Sequence, residues 1–146
     1  MNILLADDDT DDCLFFKRAL TASSISNNLT TVSEGEHLMR LLENESQELP
    51  DVLFLDLNMP RKNGFECLAE IKLSSRLKLL PVIVFSTSFE LEVVNQLYHS
   101  GAQYFIRKPS DYSHFKKIIL QTLTMIKQAN TAQPARENFV ITLQSD

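Results

Sequence analysis

Short apolar runs alternate along the chain with longer amphipathic stretches. Ile3 to Ala6, Leu29 to Val32, Val52 to Leu55, Val82 to Phe85 and Tyr104 to Ile106 are strand-length segments rich in aliphatic and aromatic residues. Three of them are nearly continuous in apolar character, as parallel strands covered by helices on both faces are. The run at Leu29 is Thr-rich and the least regular. Between and after the strands lie five helix-length segments. Thr10 is the expected cap of the first, with Asp11 and Asp12 in the turn where the helix dipole favours anions. Asn63 and Glu66 have capping-box spacing, which starts the third helix near Gly64 and turns Phe65, Leu68 and either Ile71 or Leu73 inward. Ser88 with Glu90 opens the fourth. Ser110 with Asp111 opens the fifth, which carries Phe115, Ile118, Ile119, Leu123 and Ile126. Five repeats of strand then helix predict an α/β fold in which a five-stranded parallel sheet has helices on both faces.

A chain of 146 residues with this pattern fits one domain. The periodicity lapses after about Gln128 into the linker-like Asn130-Thr131-Ala132-Gln133-Pro134-Ala135-Arg136 before the apolar Phe139-Val140-Ile141. The expected division is a domain over 1–128 and a tail over 129–146, either frayed or docked as an extra strand.

Charge changes the picture because it is local. The net charge is -5, and Asp7, Asp8, Asp9, Asp11 and Asp12 account for all of it, so the remainder balances. No basic stripe offers a footprint for nucleic acid. No apolar stretch approaches the roughly 18 residues of a membrane span, and no export signal opens the chain, so a cytoplasmic protein is expected. The two cysteines, Cys13 and Cys67, have no CxxC spacing and are expected to be packing thiols rather than a disulfide.

Ligands of open parallel sheets bind beyond the carboxyl ends of the strands. The first strand ends at Asp7 and Asp8, the third at Asp56, the fourth at Ser86 and Thr87, and the fifth at Arg107 and Lys108. Like charges about 4 Å apart repel by roughly 4 kcal/mol at an effective dielectric near 20, so three gathered carboxylates call for a cation. Lys108 can offset one, and a divalent ion the others. Oxygen donors without His or Cys favour Mg²⁺ or Mn²⁺ over zinc, and Mg²⁺ keeps waters that a phosphoryl group can displace. His37, His99 and His114 are expected on helices away from the acidic edge. An EF-hand loop from Asp7 would need Gly where Asp12 stands and Glu where Arg18 stands. A dehalogenase-type D-x-D-x-[TV] motif fails at Asp11 in one run and at Asn58 in the other.

The acidic pair, the block Asp56-Leu57-Asn58-Met59-Pro60-Arg61-Lys62-Asn63-Gly64, Ser86-Thr87-Ser88 and Lys108-Pro109 together resemble the receiver domain of two-component response regulators over residues 1 to about 128. The resemblance implies a flavodoxin-like (βα)5 fold with strand order 2-1-3-4-5. It implies Asp56 as phosphoacceptor, with Asp8, Asp56 and the Asn58 backbone carbonyl as Mg²⁺ ligands and Asp7 acting through water. Lys108, Ser86 and Thr87 would meet the phosphoryl group, and Ser86 with Phe105 would form the switch, Phe105 turning inward as Ser86 leaves. Phe in place of the commoner Tyr removes a hydroxyl and leaves a packing readout. Asn58 and Ser88 would flank the attacking water, and the Lys108-Pro109 bond is expected to be cis.

The implied protein is a single-domain regulator, not an enzyme, phosphorylated by a sensor histidine kinase or phosphotransfer protein. Its output would run through a protein partner, as a monomer or as a homodimer through the fourth-helix to fifth-helix face. The extended acidic run combined with the block from Asn58 to Gly64 resembles the small regulators partnered with phytochrome-type and other sensor histidine kinases. Two other readings stay open on the residues alone: a Mg²⁺-dependent phosphatase with Asp56 as nucleophile, and a non-phosphorylated interaction module. Asp9, Asp11 and Asp12 are expected to be ordinary solvated charge at a helix start.

Overall fold

The computed structural model describes residues 1–128 and 132–143. The Asn130 and Thr131 part of the linker-like stretch and the last three residues lie outside the described residues. Five strands, β1 (Asn2–Ala6), β2 (Asn28–Val32), β3 (Val52–Leu55), β4 (Val82–Ser86) and β5 (Tyr104–Arg107), form one parallel sheet in the order β2-β1-β3-β4-β5. Helices α1 (Thr10–Thr21), α2 (Gly35–Glu43), α3 (Gly64–Leu73), α4 (Leu91–His99) and α5 (Tyr112–Gln128) alternate with them. Strand side chains alternate between two cores. Leu4, Leu53, Leu55, Val84 and Phe105 face α2, α3 and α4, while Ile3, Leu5, Phe54, Phe85 and Ile106 face α1 and α5. β1, β3 and β4 are apolar on both sides because both sides are covered. β2 is an edge strand with Thr30 and Thr31 exposed, which is why its pattern is irregular in sequence.

The local start signals differ in detail from expectation. Asp9, not Thr10, caps α1: its Oδ1 accepts from the Asp11 and Asp12 amides at 2.9 and 3.1 Å, and Thr10 is already the first helical residue. In α3 the Asn63–Glu66 capping box forms as expected. Of the two alternatives farther along, Ile71 is buried and Leu73 is 88% exposed, because the helix ends there and turns its last residue to solvent. α4 starts after Glu90 with no side-chain cap, and α5 starts after Asp111, whose Oδ1 accepts from the His114 amide at 3.0 Å.

After α5 the chain returns to the sheet. A 3₁₀ turn over Arg136–Asn138 leads into a single parallel bridge between Val140 and Phe105. The Phe105 amide donates to the Phe139 carbonyl at 3.0 Å, and the Ile141 amide donates to the Phe105 carbonyl at 2.8 Å. Phe139 enters the α4-side core against Tyr98, and Ile141 enters the α5-side core. The tail thus satisfies backbone groups that an edge strand would leave open. No helix among the described residues is long and apolar enough to cross a membrane.

Candidate functional site

The register of the sheet carries Asp7 and Asp56 to one place. Ala6 pairs with Leu55, and the next residues diverge only after the Asp56 amide has donated to the Ala6 carbonyl at 2.9 Å. The Asp7 amide is held in the same way by the Val32 carbonyl at 3.0 Å. One carboxylate oxygen from each of Asp7, Asp8 and Asp56 lies within 4.8 Å of the others. Asp7 and Asp56 are buried, whereas Asp8 is exposed at the mouth.

Lys108 reaches into this group from the end of β5. Its amide donates to the Ser86 carbonyl at 2.8 Å, so the strand pairing itself aims the residue. The Lys108–Pro109 bond, expected to be cis, is trans, as are all peptide bonds of the described residues. Three carboxylates orient the lysine instead. Its Nζ is 2.8 Å from Asp7 Oδ2, 2.9 Å from Asp12 Oδ2 and 3.8 Å from Asp56 Oδ2, with the side chain only 3% exposed. The ammonium also lies 5.3 Å from the Phe85 ring centre.

Burial is the largest influence on both inner carboxyls. It pushes Asp7 up to about 6 against the pull of Lys108, and raises Asp56 as well. Lys108 loses solvation too, yet its hydrogen bonds to Asp7 and Asp12 and the pull of Asp56 hold its pKa above that of an ordinary lysine. Three carboxylates, those of Asp7, Asp12 and Asp56, therefore share one ammonium, and Asp8 adds a fourth negative charge beside them. Oxygen-only donors, charge in excess and one open side fit a hard divalent ion, and the site can hold such a metal.

The loop after β3 is shaped by close backbone approach. A Cβ at Gly64 would come within 2.4 Å of the Asp56 carbonyl oxygen, so the Asn63-Gly64 step lets α3 start directly beneath the acidic loop. Arg61 takes a positive φ of 69° and its Nε meets Glu34 at 2.7 Å, tying this loop to the start of α2. The Asn58 amide approaches Asp56 Oδ1 at 3.5 Å, with its side chain exposed.

Ser86 is buried and its hydroxyl accepts from the Ser88 amide at 3.2 Å, while Thr87 is exposed in the loop beyond it. Phe105 is 1% exposed and packs edge-on against Phe89 at 5.9 Å, so its ring is already inside. Any inward turn is a shift within the core.

Two expectations about bystanders need correction. Asp12 is no solvated terminal charge but a direct partner of Lys108. With Asp9 as the cap, Asp12 is the third residue of α1, close to the strand ends, but no spacing in the sequence ties it to a lysine 96 positions away. His37 does not stand away from the acidic edge. It borders, with Asp7, Asp8, Thr10 and Cys13, a surface hollow of about 300 Å³, because α2 begins at the edge where β2 ends. His99 and His114 are on α4 and α5, and His114 Nδ1 lies 2.5 Å from Asp111. Cys67 is buried, Cys13 is half-buried with its thiol 3.5 Å from the Asp7 carbonyl, and burial pushes both thiols up to about 11.

Comparison with known proteins agrees with this geometry. Residues 3–120 match the model of the response regulator receiver domain. Response regulator Rcp1 of Synechocystis is 31% identical over 134 residues, covering 84% of this chain and 91% of that protein. The crystal structure of the phosphorylated cyanobacterial phytochrome response regulator RcpA superposes with a TM-score of 0.81 at 31% identity, covering 87% of this chain and 94% of RcpA. The Mn²⁺-bound form of Rcp1 superposes with a TM-score of 0.78 at 30% identity, covering 92% and 99%. With the motif block, the strand order and the acidic cluster in place, the chain belongs to the response regulator receiver domain family.

Proposed function

We propose that this receiver accepts a phosphoryl group on Asp56 from a histidine kinase or phosphotransfer protein, in a Mg²⁺-dependent step, and signals to a protein partner through a change of shape. The reading is carried by one observation: oxygens of Asp7, Asp8 and Asp56 lie within 4.8 Å of one another, with a buried ammonium 3.8 Å from Asp56. An Asp56 Oδ attacks phosphorus, the bond from phosphorus to the donor nitrogen breaks, and the leaving imidazole takes up a proton. Asp8, Asp56 and the Asn58 carbonyl would hold the metal, with Asp7 acting through water. When bound, a divalent ion neutralises charge on the phosphoryl oxygens. Lys108 contributes its positive charge to the same oxygens, and the Ser86 hydroxyl and Thr87 amide can donate to them.

Signalling would start at Ser86. To reach the phosphoryl group its hydroxyl must leave the Ser88 amide, and the Phe105 ring would repack against Phe89 in the space released. Residues 1–128 form the receiver in this reading, and any homodimer through the α4–α5 face has to accommodate the tail lying along β5. The phytochrome link of RcpA suggests a sensor histidine kinase of that type as phosphodonor.

Incubation with a small phosphodonor and Mg²⁺, read by intact mass, tests the proposal. One phosphoryl group per chain is expected, and none on Asp56→Asn. Rapid multiple turnover would instead favour a phosphatase, and no uptake from any donor would favour an interaction module.

A further inference from the structure

Asp12 enters the site from outside the set of residues that phosphorylation of Asp56 requires. Its Oδ2 accepts from Lys108 Nζ at 2.9 Å, while the same nitrogen stands 3.8 Å from Asp56 Oδ2, beyond hydrogen-bond reach. An ammonium has three N–H donors, and Asp7 and Asp12 take two of them. The position of the nitrogen is therefore set from the β1–α1 side. Asp12 is 19% exposed, so the contact is a partly desolvated charge-assisted bond rather than a loose surface pair. Its backbone is fixed by the Asp9 cap and by the packing of α1 on α5, where Phe15 meets Phe115 and Tyr112 edge-on at 5.6 and 5.4 Å. Asp7 cannot play the same part alone, because it also belongs to the carboxylate group that can hold a metal; Asp12 lies outside that group, and among the described residues its side chain bonds to the lysine.

We propose that Asp12 is a positioning residue that retains the Lys108 ammonium on the α1 side of the site, and that a phosphoryl group on Asp56 must draw the lysine away from it. The inference rests on Asp56 being the phosphoacceptor. Asp12 thereby weakens the hold of the site on a phosphoryl group and limits its phosphorylation without touching either metal or phosphorus.

Beryllium fluoride, a phosphoryl mimic that adds to carboxylates, tests this by calorimetry in saturating Mg²⁺. Asp12→Asn should bind it about tenfold more tightly, the factor expected when one charge-assisted competitor for the ammonium is removed. Asp12→Glu should return affinity toward that of the parent chain. In a Lys108→Ala background the gain from Asp12→Asn should vanish, since residues acting through one another are not additive. Unchanged or weaker binding by Asp12→Asn overturns the inference, and so does an equal gain without Lys108, which would mean that Asp12 acts only through its bare charge. Asp12→Ala carries the same comparison if the amide variant does not fold. A purely structural role would lower the melting temperature and leave the beryllium fluoride affinity where it was. Failure of the parent chain to bind the mimic at all would instead remove the phosphoacceptor reading on which the inference stands.

Discussion

The aromatic layer on the α1–α5 side and the acidic edge above it are built on the same strands by opposite physics. Phe16, Phe54, Phe85 and Phe115 meet edge to face with centroids 4.9 to 6.4 Å apart, all fully buried, each gaining from removal from water. Two residues beyond Phe54 stands Asp56, and one beyond Phe85 stands Ser86, both buried polar groups. There burial raises the pKa of Asp7 and Asp56, a sign that ionised carboxylates are held at a cost. The contrast teaches where the stability resides: the layer beneath supplies it, and the edge gives some of it up to keep charge available for chemistry.

Truncating the layer should produce the largest effect. Phe54→Ala should destabilise the protein by about 3–5 kcal/mol in denaturant unfolding, through lost burial and the cavity left behind. A loss below about 1 kcal/mol would mean that the layer relaxes freely and that the contrast is overdrawn.

The edge should respond to pH in the opposite sense to most carboxylate sites. Asp7 is pushed up to about 6 from an ordinary value of 3.8, so between those values the folded chain keeps a proton that the unfolded chain has released. Metal-free protein should therefore be most stable below about pH 4 as far as this group is concerned. It should lose up to about 3 kcal/mol as pH rises through 6. Saturating Mg²⁺ should abolish the decline, because a bound cation favours the ionised carboxyls. Melting curves at several pH values, with and without Mg²⁺, measure both, and a metal-free protein that gains stability from pH 4 to 7 would contradict the assignment.

Removing charge at Asp56, the proposed acceptor, should stabilise. Metal-free Asp56→Asn is expected to unfold about 1 kcal/mol less readily than the parent at neutral pH, while losing all phosphoryl uptake. An effect of similar size, about 1 kcal/mol but destabilising, should follow Asp9→Ala, which removes the α1 cap. The corresponding change at Thr10, the expected cap, should cost less, which separates the two positions directly.

The fold was legible because its signals are local. Continuous apolar runs at Val52 and Val82, the capping box at Asn63 and the turn residues at each strand end are read within a few positions, and the block from Asp56 to Gly64 marked the loop of the proposed acceptor. What escaped was long-range. Asp12 and Lys108 are 96 positions apart, so no spacing rule joins them, and the first-turn acidity of α1 had a sufficient local explanation in the helix dipole. The choice between Ile71 and Leu73 depended on where α3 ends, and helix ends are the least determined part of a pattern. His37 was misplaced for the same reason: periodicity locates a helix but not which rim of the sheet its first turn overlooks.

The strap across β5 has a consequence for how the molecule would report on itself. Both backbone groups of Phe105 are committed to Phe139 and Ile141, at a sheet edge joined by a single bridge. Hydrogen exchange at the Phe105 amide is therefore gated by detachment of the tail, a local opening that needs far less free energy than separating β1 from β3. That one amide is a clock for the end of the chain, and it ticks beside the aromatic ring on which the proposed signal turns.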